Sequence, residues 1–277
     1  MKVEQKVDMK KSVLNSPGPK PLLRRGWGRL YDHLFFDLDN TLWDFKANSY
    51  RAMEITLAQK EILPRLSSFD SYFEFYEQIN KSLWNDYHTR KINKQTLIVQ
   101  RFARSLTAFH IYDQDWEDLN KLYLENMAMQ TELFPGTIET LTTLRERGYQ
   151  MHIITNGFSE VQREKLKNCG LSDFFSKIFI SEEIQTTKPH RKIFEHALKT
   201  TNARKKKSLM IGDSWETDIE GALKFGIDQI MFSNYGLHEV PEVLNSIQMA
   251  SNRTFKKLNV QTRTWIINEI SDLISIL

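Results

Sequence analysis

Two aspartates, Asp37 and Asp39, stand two residues apart directly after the apolar run His33-Leu34-Phe35-Phe36, and Thr41 follows two residues later. Apolar strand residues that run into acids need a reason, because a core tolerates a carboxylate only when it is paired, metal-bound or catalytic. Residues i and i+2 of an extended chain point to one face. Asp37 and Asp39 are therefore suited to one bound group, one as nucleophile or metal ligand, the other as general acid and base. Thr41 adds a short hydroxyl where the chain turns away. The plainer alternative is a turn after a strand, with Asp39-Asn40 as turn formers and Asp37 an ordinary edge residue.

Three further segments repeat the pattern. Met151-His152-Ile153-Ile154 runs into Thr155-Asn156-Gly157 and then a helix-like stretch over 160–168, a strand-to-helix junction whose hydroxyl and free N–H groups suit an anion, or simply a helix cap. Lys188-Pro189 precedes a helical run over 192–199; Pro189 suits the first helical position, which leaves the Lys188 ammonium outside the helix to meet a phosphate. Leu209-Met210-Ile211 ends in Gly212-Asp213-Ser214, with Asp218 four residues on, either a further functional acid or a solvated helix residue. Open α/β sheets bind ligands at the C-terminal ends of their strands. Acids from two strands, a lysine and a hydroxyl fit Mg²⁺-assisted phosphoryl transfer, since oxygen ligands suit that hard cation and no Cys or His cluster competes for a softer one.

With the motifs in the order Asp37-x-Asp39-x-Thr41, Thr155-Asn156, Lys188-Pro189 and Gly212-Asp213-Ser214-x-x-x-Asp218, the chain resembles the haloacid dehalogenase superfamily of hydrolases from about Tyr31 onward. The resemblance implies that Asp37 attacks phosphorus to form an aspartyl-phosphate and that Asp39 protonates the leaving oxygen, then activates water. It implies that Thr155 and Lys188 hold the transferring group, with Thr41, Asn156 and Gly157 as phosphate-binding neighbours. Mg²⁺ would sit on the Asp37 carboxylate, the Asp39 backbone carbonyl and Asp213, supported by Asp218 and Ser214. Asp39 argues against dehalogenation, whose enzymes lack that second acid.

The insertion over 46–132 carries helical patterns without strand-like alternation, and the resemblance makes it a helical cap that closes over the site and selects the leaving group. Asn80, Trp84 and Tyr87 fall on one helix face at i, i+4, i+7, a stripe that serves core packing or stacks on a base. Together with Arg101-Phe102, the run 153–158 and Ile180-Ser181-Glu182-Glu183, the stripe is similar to the pyrimidine 5'-nucleotidases that clear noncanonical nucleotides. Two positions depart from that pattern: Thr89-Arg90-Lys91 follows the helix where a glycine is usual, and Gln185 replaces the glycine before Lys188.

The expected fold is an α/β, Rossmann-like doubly wound parallel sheet over 30–45 and 133–277 with the inserted helical cap, Thr264-Trp265-Ile266-Ile267 as last strand, a closing helix after it, and a variable loop over 246–261. Composition fits: 277 residues, 40% hydrophobic and 26% charged. The net charge of +3 comes from residues 1–30, which hold eight Lys or Arg against two Asp or Glu; the rest has thirty against thirty-three, so nucleic-acid binding is not indicated. Residues 1–29 have too little apolar content to fold alone and are expected to be disordered. The single Cys169 excludes an internal disulfide and reads as a helix-end residue. With no 18-residue apolar run and no apolar leader, a cytoplasmic enzyme is expected, a monomer or small homo-oligomer acting on a small phosphate ester, with nucleoside monophosphates favoured. Sugar-phosphate or phosphoglycolate phosphatases and phosphosugar mutases use the same core, and a noncatalytic binding module is a more remote reading.

Overall fold

The computed structural model describes residues 30–233, 254–259 and 262–277. Its sheet is ordered β3-β2-β1-β4-β5-β7-β6: β1 His33–Phe36, β2 Gln150–Thr155, β3 Lys177–Ile180, β4 Ser208–Gly212, β5 Asp228–Phe232, β6 Thr254–Asn259 and β7 Thr262–Ile267. Every pairing is parallel except β6 against β7. The central strands read as continuous apolar runs because helices cover both faces. Phe36, Ile153 and Ile211 point into one core, while Phe35, Ile154 and Met210 point into the other. Strand order reverses at β1, which opens the crevice where such sheets bind ligands.

Between β1 and β2 the chain leaves the sheet and returns side by side, with Asp44 N–H donating to Glu132 C=O (3.1 Å) and Phe134 N–H to Leu42 C=O (3.0 Å). Four helices lie between these crossings: α1 Phe45–Gln59, α2 Phe69–His88, α3 Lys94–Thr107 and α4 Trp116–Ala128. Each starts where a short polar side chain satisfies orphan N–H groups: Asp44 accepts from Ala47, Ser68 from Ser71, Asn93 from Thr96, and Asp115 from Glu117 and Asp118. The helices α5 Thr137–Glu146, α6 Ser159–Asn168, α7 Ser181–Ile184, α8 Arg191–Thr200 and α9 Glu220–Phe225 connect the strands. No helix among the described residues is long and apolar enough to cross a membrane.

Three local expectations change. Residues 254–259, expected within a loop, form an antiparallel edge strand on β7; Lys256-Lys257 gives the segment the charged character that natural edges carry and that hides a strand from its sequence. The closing helix is brief, a 3₁₀ turn Ile270–Asp272 followed by Leu273–Ile276. Helix α8 begins at Arg191 and not at Pro189, because His190 takes the cap position and its Nδ1 accepts from Lys192 N–H (3.3 Å). The remainder of the expected loop and the extension 1–29 lie outside the described residues.

Candidate functional site

Asp37 is the first residue beyond β1, its N–H donating to Ile211 C=O on β4 (2.8 Å). The chain then turns sharply: Leu38 C=O accepts from Leu42 and Trp43, and Asn40 takes φ +59°. The turn is closed by backbone hydrogen bonds, which leaves the side chains of both acids for other partners. The Asp37 carboxylate meets Lys188 Nζ at 2.6 Å, and the same ammonium lies 2.7 Å from Asp218. Lys188 is 1% exposed. Its backbone is held in both directions by the Asn156 amide, which accepts from Lys188 N–H (2.8 Å) and donates to Lys188 C=O (3.0 Å). Asn156 is thereby engaged in fixing the lysine loop.

Asp218 reaches this cluster because residue 212 is glycine: a Cβ there would stand 2.3 Å from the Asp218 carboxylate. Ser214 caps the following helical turn through Thr217 N–H (3.3 Å), and its own N–H donates to Asp218 (3.2 Å). Thr41 Oγ1 donates to Asp213 Oδ1 at 3.2 Å, so its hydroxyl orients a carboxylate.

Carboxylate oxygens of Asp37, Asp213 and Asp218 lie within 4.8 Å of one another. Burial raises the Asp213 carboxyl well above the ordinary range, with Asp37 and Asp218 adding to the shift. Burial likewise raises Asp37, against the attraction of Lys188. Lys188 itself is held charged, raised by Asp218 and Asp37 in spite of burial. Two buried acids, Asp37 and Asp218, thus share one ammonium in direct contact, with the half-buried Asp213 beside them, a negative excess that a divalent cation would neutralise. Since Asp218 is occupied by Lys188 and Ser214, Asp37 and Asp213 are the carboxylates open to such an ion. An all-oxygen donor set suits Mg²⁺.

Asp39 turns elsewhere. Its Oδ1 accepts from Lys165 Nζ (2.8 Å) and its Oδ2 from Gln162 Nε2 (2.7 Å). Gln162 Nε2 also donates to Thr155 Oγ1 (2.8 Å), as does Gly157 N–H (3.1 Å). With both acceptor directions of the Thr155 hydroxyl filled, its proton is left to donate to a ligand oxygen. Gly157 leaves room for the Gln162 amide, since a Cβ would stand 1.7 Å from its Nε2 and displace it. Lys165 is 3% exposed and sits 3.9 Å over the Trp43 ring. Gln162 and Lys165 were not singled out from sequence. The available signal is two polar residues on the face of α6 that also buries Val161 and Leu166.

Trp84 packs against Phe158 with ring centres 4.9 Å apart and planes tilted by 32°, and Tyr87 meets the same ring edge-on at 6.3 Å. Trp84 lines a small cleft together with Asp39, Arg101, Phe158, Gln162 and Lys165. Asn80, on the same helix, is buried with Oδ1 lacking a partner and does not line that cleft. The stripe is chiefly a packing surface between α2 and Phe158. Across the same seam, Lys94 of α3 contacts Glu160 (2.7 Å) and Glu182 (2.9 Å) and lies over the Phe158 ring.

The family model for haloacid dehalogenase-like hydrolases matches residues 34–232. The chain belongs to that family. It is an enzyme, a hydrolase of the phosphatase kind. Among curated haloacid dehalogenase-like relatives it is 36% identical over 208 residues to pyrimidine 5'-nucleotidase PynA of Streptococcus pneumoniae, covering 75% of this chain and 86% of that protein. It is 33% identical over 199 residues to pyrimidine 5'-nucleotidase YjjG of Escherichia coli, covering 71% and 84%. A magnesium-bound crystal structure of the HAD-hydrolase YfnB of Bacillus subtilis superposes with a TM-score of 0.75 over 90% of this chain and 99% of that one, at 24% identity, and shares the fold.

Proposed function

We propose that this hydrolase is a Mg²⁺-dependent phosphomonoesterase working through an aspartyl-phosphate, with pyrimidine nucleoside 5'-monophosphates as substrates. The observation that carries the reading is the division of labour between the two acids of the first turn: Asp37 faces Lys188 and the acidic cluster, while Asp39 faces the cleft. Asp37 serves as nucleophile, its carboxylate aimed by Lys188, which also offsets charge on the phosphoryl oxygens. The Thr155 O–H donates to one of those oxygens. Asp39 protonates the leaving oxygen and later takes a proton from the water that hydrolyses the acyl-phosphate. Asp37, Asp213 and the Asp39 carbonyl would hold Mg²⁺, which would supply charge neutralisation between the carboxylates and the phosphate.

The cleft beside Asp39 has a volume of about 40 Å³, room for a few waters, whereas drug-sized ligands occupy roughly 300 Å³ or more. Residues 46–132 accordingly act as a cap that swings away from Phe158 to admit substrate and returns to exclude water. The pyrimidine preference draws support from the two nucleotidase relatives.

Phosphate release from a panel of nucleoside monophosphates and sugar phosphates, with Mg²⁺ or EDTA, tests this. Release should need Mg²⁺, favour pyrimidine nucleotides and fall at least about 10³-fold in Asp37→Asn. Equal rates on sugar phosphates would overturn the nucleotidase assignment, and an active Asp37→Asn would overturn the nucleophile.

A further inference from the structure

Among the described residues, Arg101 is a buried cation without an anion. It lies on α3, 3% exposed, and donates through Nε (3.0 Å) and Nη2 to a neutral acceptor, Asn120 Oδ1 of α4, with the buried Tyr76 hydroxyl also near its guanidinium. Its guanidinium sits 5.0 Å from the Tyr123 ring and 5.4 Å from the Phe102 ring. No Asp or Glu among the described residues forms an ion pair with it. Burying a charge on these terms costs more than placing an apolar side chain of the same length, so helix packing alone is a poor reason for it. A guanidinium carries five N–H donors and no acceptor, and two of the five are spent on Asn120.

The place of this residue gives those donors a use. Arg101 lines the same cleft as Asp39, the acid assigned above to the leaving oxygen. Whatever is attached to that oxygen enters this chamber. Trp84, Tyr123 and Phe158 give it flat apolar walls, while Lys165 is already matched to Asp39. A planar ring bearing carbonyl oxygens meets both conditions: its faces suit the aromatic walls and its oxygens suit a donor-only group. Resting on the nucleotidase reading, we infer that Arg101 is a specificity-determining residue that donates to a carbonyl oxygen of the nucleobase when the helical insert closes.

The experiment compares uridine 5'-monophosphate with ribose 5-phosphate, which offers the same phosphoryl group and sugar without the base, in the parent, Arg101→Met and Arg101→Lys. A lost charged hydrogen bond corresponds to roughly 10- to 100-fold. Arg101→Met should lose that much kcat/KM on the nucleotide, mainly through KM, and stay within about twofold of the parent on ribose 5-phosphate, with its melting temperature showing an intact fold. Arg101→Lys should fall between the two, and it carries the comparison should the methionine variant fail to fold. Equal losses on both substrates would make Arg101 a structural residue and overturn the inference, as would a nucleotide preference that survives both substitutions. A parent without preference for the nucleotide overturns the nucleotidase reading itself, so the two failures are distinguishable.

Discussion

At the scale of single residues, the arrangement around Asp39 makes a prediction that separates acid catalysis from phosphate binding. Lys165 and Gln162 fix both oxygens of this carboxylate. Removing the ammonium in Lys165→Met should cost roughly 10- to 100-fold in kcat/KM on a nucleoside monophosphate, whose alkoxide needs a proton to leave. On p-nitrophenyl phosphate, whose phenolate leaves unaided, the loss should stay within about threefold. Equal losses on both esters would place Lys165 in phosphate binding or in the fold. Asp37, Asp39 and Asp213 stood out in the sequence because each is an acid at or just beyond the end of an apolar run, where a charge has no structural excuse, whereas Lys188, between Thr187 and Pro189, stood out through the proline and the helical run after it. Gln162 and Lys165 did not, since an exposed helix would carry the same residue types; only the packing of α6 turns them inward. The left-handed positions were half legible. Gln185 takes φ +56° and Arg90 φ +60° where a glycine is usual, each at a cost of about 1 kcal/mol. Gln185→Gly should accordingly raise the unfolding free energy by up to about 1 kcal/mol in urea, and an unchanged midpoint would mean that the glutamine's own contacts offset the strain.

Among elements, the junction of β1 and β2 contains a pair of buried imidazoles. His33 Nδ1 lies 3.1 Å from His152 Nε2, with the rings stacked. Burial lowers both, and His33 and Lys177 lower His152 further, from 6.5 to about 4. Below about pH 6.5 the unfolded chain takes up a proton that the folded one refuses, so stability is full above that point and falls as pH drops through about 4, by at most about 3 kcal/mol for His152. Melting temperatures measured from neutral pH down to about 4 should show this slope, flattened in His152→Gln; the same slope in that variant would assign the acid sensitivity to other groups. Elements were legible from their sequence where one pattern dominated, as in the apolar strands His33–Phe36 and Ser208–Gly212. They were misread where a tertiary partner decides. Thr254–Asn259 becomes a strand only because β7 offers its edge, and α8 starts late because His190 caps it.

For the whole molecule, the doubly wound sheet follows from alternating apolar runs and helical patterns, and the point where strand order reverses gathers residues from four distant segments into one crevice. What no periodicity reveals is how tightly the four inserted helices sit on that crevice. The contact of Lys94 with Glu160 and Glu182 gives this question a handle. It joins α3 to the core through groups that solvent reaches, the lysine being 30% and Glu160 55% exposed, whereas the ion pairs of Lys188 are buried and that of Lys165 with Asp39 is largely so. Dissolved ions screen the first kind of pair and largely spare the second. Ionic strength is therefore a selective lever on this enzyme, loosening the seam between insert and core while leaving the reacting charges in register.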